Sequence, residues 1–387
     1  MNQKRIAVSI NLDWPLKRYH ELYKGIQEYA KEHTDWLLVW DHFPEQRLKK
    51  CKTVPYYDGV IGRVKYEAYD EIKRLNIPVV NTWATNAIKD LTSVIVNFEK
   101  VAEMAADHLI KKGFRNFVLI DFRSSGTKQV FFKGFMNKVK PYGCPVKRYL
   151  ISHNTDMVAS LWNKFNDDFE SWIKDWKYPL GIVVAMSSIG PKITSRCIES
   201  GLRIPEDVAI VSSGNDLSFC EGRHPTISSV DINYFQAGYE SARLLDMKMR
   251  GEEPKEKTFF IEPRAFVARE STDSYAVQDK DVQLALRYIS ENYDDNIQVI
   301  DVVEAVDVSR STLERRFQDI IGHSIYDEIN RLRLSSVKRL LIETDMDIKN
   351  ICKESGFSSS HHLRRVFFKD TGINPGEFRK KNQSSSS

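Results

Sequence analysis

The sequence of 387 residues predicts an α/β region reaching to about residue 272, followed by an all-helical region over residues 281–381. From Arg5 to Ser213 short β-branched runs alternate with amphipathic helical stretches, the pattern of β-α-β units around a parallel sheet. From Asp281 onward the apolar spacing is helical, with short turns and no strand pattern. Within that second region an apolar helix, a tight turn and a second helix occur twice.

Strands are expected at residues 6–10, 59–61, 79–80, 117–120, 181–185 and 208–211. Helices are expected at 16–30, 100–111 and 189–200, the last two each followed by Gly113 or Gly201, which suits a left-handed helix stop. A helix at 234–249 leads into the charged segment 251–257, and two strand-like runs then end at Ala268. The polar stretch that follows reads as a linker, placed at 273–280, and the serine-rich residues 382–387 read as a disordered tail.

The length exceeds one ordinary core and fits a sensor joined to an effector. With 42% hydrophobic residues the chain can build cores, yet no apolar run approaches the roughly eighteen residues of a membrane span. The first ten residues read as a strand rather than a signal peptide, so a cytoplasmic protein is expected. The five cysteines stand singly, without the close pairs of a zinc knuckle or redox motif, and neither a metal nor a cofactor is expected. The net charge of +4 is too small to argue for nucleic acid by itself. Its distribution is more telling: residues 281–330 hold four Lys or Arg against eleven Asp or Glu, whereas 331–387 hold twelve against six.

In the first copy of the repeated motif, residues 299–317, Ala305 is small where two helices cross, Asp307 sits where the turn wants a left-handed residue, and Ser309 can cap the next helix. Leu313, Phe317 and Ile320 repeat at helical spacing and are expected to pack inward. Arg310, Ser311, Glu314, Arg315 and Gln318 are left on the open face. In the second copy, residues 348–367, Cys352 takes the crossing position, Gly356 the turn, and Leu363 and Phe367 the buried spacing. Ser360, His361, Arg364 and Arg365 remain for a DNA groove, and Lys369 joins them as a contact candidate. For Arg310 and Lys369 the alternative is a solvated surface position. Between the copies Ile325, Ile329, Leu332, Val337, Leu340 and Leu341 mark one amphipathic helix, which would hold two readers on groove turns about 34 Å apart. The charge distribution implies that the second unit anchors on phosphate while the first contributes selectivity or contacts promoter sequence only weakly.

The run from Ile342 to Ile351, Gly356-Phe-Ser, and the stretch from Phe367 through Thr371-Gly-Ile-Asn-Pro-Gly-Glu-Phe to Arg379 resemble the signature of AraC/XylS-type transcription regulators, over about residues 281–381. That resemblance implies a double helix-turn-helix domain, with Ser311, Glu314, Arg315, His361, Arg364 and Arg365 aligned with base-contacting positions. The front of the chain resembles the sugar-binding core of LacI/GalR-type repressors and periplasmic binding proteins. The likeness lies in Tyr57-Asp-Gly-Val-Ile, Ile77-Pro-Val-Val, the run from Ala105 to Arg115, Gly134-Phe, Ile204-Pro-Glu-Asp-Val-Ala-Ile-Val, His224-Pro-Thr-Ile-Ser-Ser-Val and Val267-Ala-Arg-Glu-Ser-Thr. It implies two interleaved α/β lobes, lobe 1 at about 1–97 and 231–257 and lobe 2 at about 98–230 and 258–272. The order, sensor first and DNA-binding domain second, is similar to the xylose-operon activator group. What this implies is an activator acting on promoter DNA, a pentose-like sugar effector, a homodimer, and RNA polymerase as a partner, with no membrane.

Ligands of such folds bind beyond the carboxyl ends of strands, which points to Asn11, Asp13, Trp14, Trp83, Arg123, Ser124, Ser187, Asn215 and Asp216. Carboxylates and amides would hold hydroxyls, and a tryptophan would cover an apolar sugar face; each position reads equally well as a loop cap or turn residue. Relatives place an arginine where this chain has Phe131, and often an Asn-Asp pair where it has Ser187 and Ser188. Both differences remove strong sugar-binding groups and leave a non-sugar effector open. No catalytic constellation is found: Ser124-Ser-Gly-Thr-Lys128 lacks the full phosphate loop, and His361 and His362 lie on different helix faces. The other reading is a ligand-binding protein whose helical tail contacts a protein partner.

Overall fold

The computed structural model describes residues 3–10, 12, 17–33, 35–83, 88, 91–122, 127–151, 159–277 and 279–383. It divides into two compact units, Met1–Asp273 and Ser274–Ser387.

The first unit opens with β1 (Lys4–Ser9), α1 (Lys17–His33), β2 (Trp36–Trp40), α2 (Pro44–Leu48), β3 (Gly59–Gly62), α3 (Tyr66–Arg74), β4 (Val79–Asn81) and β5 (Ser93–Val96). It continues with α4 (Phe98–Lys111), β6 (Asn116–Phe122), α5 (Lys128–Val139), β7 (Val146–Ile151), α6 (Ala159–Lys174), β8 (Leu180–Val184), α7 (Gly190–Glu199), β9 (Val208–Ser213), α8 (Leu217–Cys220) and β10 (Ser228–Asp231). The chain then forms α9 (Tyr234–Met249), β11 (Thr258–Ile261) and β12 (Ala265–Val267). These strands build two six-stranded sheets, β11-β5-β4-β3-β1-β2 in lobe 1 and β12-β10-β9-β8-β6-β7 in lobe 2. Every pairing is parallel except that of β10 with β12. The backbone passes between lobes after β5, after β10 and after β11.

Strand periodicity divides the lobe 1 core into two faces. Ile6, Val8, Ile61, Val80 and Val94 pack under α1 and α9, while Ala7, Val60 and Val79 meet Leu48, Tyr57, Ala68 and Ile72 on the other side. The two helices touch backbone to backbone: a Cβ on Gly25 would lie 2.0 Å from the Phe235 carbonyl oxygen, and one on Gly238 would lie 1.9 Å from that of Leu22. In lobe 2 Val118, Ile120, Ile182, Val184 and Ile210 pack against Phe165, Phe169, Ile193 and Cys197.

Two boundaries differ from expectation. Residues 258–261 pair with β5 in the lobe 1 sheet, and Ile261 enters that core, so lobe 1 extends past residue 257. The stretch expected as a linker is largely packed: Val277 lies in the core of the helical unit with Tyr275 against it. Just before it, Ser271 and Thr272 are buried in lobe 2, with Ser271 Oγ accepting from Ser228 N–H at 2.9 Å.

The second unit is all helix: α10 (Lys280–Asn292), α11 (Val299–Glu304), α12 (Arg310–Ile321), α13 (Ile325–Glu343), α14 (Ile348–Glu354), α15 (Ser360–Thr371) and α16 (Pro375–Gln383). Its apolar side chains form two clusters that share α13. Val282, Ile289, Val302, Leu313, Phe317, Ile325 and Ile329 make one, and Leu334, Val337, Leu341, Ile351, Leu363 and Phe367 the other. Among the described residues no helix is long and apolar enough to cross a membrane.

Candidate nucleic-acid interface and ligand cleft

Each helix-turn-helix carries its own start and stop. Ser309 accepts a hydrogen bond from Thr312 N–H at the head of α12, and Ser359 does the same for His362 N–H at the head of α15. Gly322 and Gly372 end these helices at φ 90° and 74°, each with open space where a Cβ would stand. With Leu313 and Phe317 turned into the core, α12 exposes Arg310, Ser311, Arg315 and Gln318. With Leu363 and Phe367 turned in, α15 exposes His361, Arg364, Arg365 and Lys369 and leaves Ser360 half-buried. Arg310 Nε lies 2.9 Å from the half-buried Glu314 carboxylate, so those two charges satisfy each other. Among the described residues no carboxylate pairs with Arg315, Arg364, Arg365 or Lys369.

Three details of the first motif depart from expectation. Ile320 is 46% exposed, and its neighbour Ile321 packs on the core instead, because the helix phase after Phe317 favours the fourth residue on. Ala305 is exposed, and the contact of α11 with its neighbours falls to Val302. Asp307 keeps a negative φ; the left-handed turn occurs only in the second motif, at Gly356 with φ 69°. There a Cβ would sit 2.2 Å from the Tyr293 carbonyl oxygen.

In the first unit a cleft opens where parallel strands of the two lobes end, as this fold class requires. Its lining includes Lys17 and Arg18 from lobe 1, Ser187, Ser188, Asn215 and Asp216 from lobe 2, and Arg264 on a crossing segment. Ser187 Oγ donates to the Gly214 carbonyl at 2.8 Å. Asn215 Oδ1 accepts from Arg269 Nη2 at 2.7 Å and Ser229 Oγ at 3.0 Å, so both side chains brace the cleft wall. Asp216 caps α8 through Ser218 N–H and also accepts from Lys17 N–H across the cleft at 3.2 Å, while Lys17 Nζ donates to the Asn215 carbonyl at 2.7 Å. Trp83, beyond β4, lies outside this lining and is covered by Arg63 at 4.3 Å and Arg18 at 5.8 Å. Phe131 is 3% exposed and is not among the lining residues, its ring being buried in the packing around α5 rather than turned to the cleft. Asn11, Asp13, Trp14, Arg123 and Ser124 lie outside the described residues.

Family models match both halves of the chain: a periplasmic binding protein-like domain over residues 106–272 and a helix-turn-helix domain over residues 302–381. The xylose operon regulatory protein of Haemophilus influenzae is 26% identical over 388 residues, covering 97% of this chain and 98% of the relative. The protein of the same description from Escherichia coli K12 is 24% identical over 390 residues, covering 97% and 96%. Among solved structures, that of the xylose-binding transcription activator xylR superposes with a TM-score of 0.70 at 22% identity, over 98% of this chain and 99% of that one. The chain is an AraC-type regulator with a periplasmic-binding-protein-like sensor.

Several polar anchors of the regulator have no counterpart in the sequence reading. Arg333, 2% exposed, donates to the carbonyls of Tyr293 at 2.8 Å and Ile297 at 2.9 Å, tying the middle of α13 to the turn between α10 and α11. Burial lowers its affinity for a proton, but carbonyl acceptors suffice for a guanidinium that cannot be neutralised at physiological pH. Tyr326 on α13 meets His362 Nε2 of the second motif at 3.1 Å. Burial pushes the His362 imidazole down, and Arg365 and Arg333 push it further, so the ring is neutral at physiological pH. In lobe 2, His108 stacks on Phe266 at 3.9 Å and meets Thr272 Oγ1 at 2.9 Å. Burial drives its pKa to about 3, followed by the repulsion of Lys112 and Lys111. A lone histidine or arginine in a helical stretch gives no sign of such a partner until the tertiary fold supplies one.

Proposed function

We propose that this regulator binds promoter DNA as a homodimer and controls a carbohydrate-utilisation operon in response to a pentose-like sugar held between its lobes, as its xylose-operon relatives suggest. The two N-capped, solvent-facing helices carry this reading, since among the described residues Arg315 on one and Arg364 and Arg365 on the other have no carboxylate to satisfy them. Arginine forks suit guanine edges, each good bidentate pair contributing roughly 1–3 kcal/mol of discrimination. Ser311, Glu314 and Arg315 would read one half-site; Ser360, His361, Arg364 and Arg365 the next, with Lys369 on phosphate. Closing of the lobes on the sugar would alter the dimer and align the DNA-binding domains next to RNA polymerase, the shift being limited by the ligand's preference for the closed form. Such a protein works in the cytoplasm by binding, without a catalytic step.

The test is fluorescence anisotropy of the full chain on its own promoter fragment across a salt series. Arg365→Ala is expected to lose more affinity than Arg315→Ala and to reduce the slope of log affinity against log salt by about one. Equal losses would sink the asymmetry, and binding that ignores salt would favour a protein partner for the helical domain instead. A thermal-shift screen of the same protein against pentoses, hexoses and their acids tests the sensor half.

A further inference from the structure

The open face of the second motif's reading helix is polar except at one position. Phe368 on α15 is 53% exposed, beside the fully buried Phe367. It follows His361 by seven residues, Arg364 by four and Arg365 by three, so its ring stands among those three exposed side chains on the face turned from Leu363. Among the described residues the ring makes no aromatic or cation-π contact, and it takes no part in the apolar cluster beneath α15. It neither holds the helix down nor orders the arginines beside it.

The internal repeat shows that the fold does not ask for an apolar residue there. Leu313 and Phe317 of α12 occupy the buried places that Leu363 and Phe367 occupy in α15, which sets Gln318 at the position of Phe368. Gln318 is exposed as well. Both helices begin at a serine cap and end at a left-handed glycine, so a polar side chain serves this position in the same setting. A phenylalanine gains nothing there from the protein's own packing, and its ring stays in water until something covers it.

Whatever covers the ring must accept the charges around it. Among the described residues no carboxylate pairs with Arg364, Arg365 or Lys369, so cations free to bind an anion border the ring. A protein surface would have to desolvate those charges together with the ring, whereas phosphates on either side of a groove neutralise them while the ring meets the groove floor. In the major groove that floor carries one apolar substituent, the 5-methyl group of thymine, among hydrogen-bond donors and acceptors.

We propose that Phe368 is a thymine reader: its ring packs on the 5-methyl group of a thymine in the half-site that α15 occupies, next to the groups engaged by Arg364 and Arg365. This rests on the reading of α15 as a DNA-binding helix and adds a base-specific contact that its polar residues do not make.

The experiment is fluorescence anisotropy of the full chain on its own promoter fragment, with each thymine in turn replaced by deoxyuridine, which lacks only the 5-methyl group. At least one replacement is expected to weaken binding about fourfold, the worth of one buried methyl group. In Phe368→Ala, and in Phe368→Gln, which copies the first motif, that position should become silent, and binding to the unmodified fragment should fall by about the same factor or more. The slope of log affinity against log salt should stay as it is, because no phosphate contact is removed. Melting of both variants beside the parent separates a lost contact from a lost fold. No uracil-sensitive position in the parent, uracil losses that persist undiminished in both variants, or a loss spread evenly over every fragment would each overturn the proposal and leave DNA binding intact. Absence of salt-dependent binding by the parent would overturn the DNA reading itself, and this contact with it.

Discussion

Glu328 on α13 is 2% exposed, yet it keeps its charge. Burial alone would raise its pKa, but hydrogen bonds from Arg331 at 2.7 Å and His323 at 2.7 Å outweigh that and hold the carboxyl at about 2 rather than 4.5. A carboxyl that ionises more readily folded than unfolded contributes stability that is complete above about pH 4.5 and fades as the pH falls toward 2. The shift corresponds to something on the order of 3 kcal/mol. Glu328→Gln is accordingly expected to destabilise the helical domain by roughly 2–3 kcal/mol at pH 7, and its deficit against the parent protein should narrow below pH 4. Denaturant titrations at pH 7 and pH 3.5 decide it: a deficit that stays constant across that range would mean the charge of Glu328 is not what matters. In the sequence these residues look like an ordinary solvated stretch. Only the fold brings His323, from the turn before α13, back onto a carboxylate whose helix face is buried.

At the level of elements, legibility did not simply follow length, since β3 and β4, of four and three residues, were expected while β2 and β7, of five and six, were not. The long helix α9 spans the expected 234–249, whereas β5 and β10, of four residues each, gave no recognisable alternation. In β10 the reason is chemical: Ser228 and Ser229 are fully buried because their hydroxyls bond to Thr272 and Asn215, partners that a propensity reading cannot anticipate. The two motif turns also proved unlike each other, since a left-handed residue is needed only at Gly356. The glycines of the second motif can be ranked on that basis. At Gly372, φ is 74° and a Cβ would meet nothing within 4 Å, so Gly372→Ala should cost only about 1 kcal/mol of backbone strain. At Gly356 the same Cβ would press on Tyr293 O at 2.2 Å and Asp294 Cα at 2.8 Å, backbone atoms that cannot step aside. Gly356→Ala should cost about 3 kcal/mol or more and weaken DNA binding by displacing α15. Comparable melting temperatures for the two variants would refute this ranking.

Across the whole sensor, the α/β class was readable from the alternation of strands and helices, the two lobes came only from the family resemblance, and the strand-end rule directed attention to Ser187, Asn215 and Asp216, which do line the cleft. The rule could not tell which of them face a ligand and which brace the wall, because that depends on partners such as Arg269, 54 positions from Asn215 in the chain. Nor could it find Lys17, which lies at a helix start in lobe 1 yet bonds to the lobe 2 loop through both its backbone N–H and its ammonium group. That pair of contacts spans the cleft and belongs to the arrangement in which the lobes are together. Lys17→Met keeps the aliphatic stem and removes the 2.7 Å bond to the Asn215 carbonyl. A hydrogen bond from a charged donor contributes about 1.5–3 kcal/mol when well shielded, and this one is partly open to solvent, so a rise of about three- to tenfold in amide exchange is expected. If Lys17 couples the lobes, the increase should appear on both sides of the cleft, in the first turn of α1 and in residues 214–220. Faster exchange confined to α1 would mean that the contact is local and that the lobes are held together by their three backbone crossings alone.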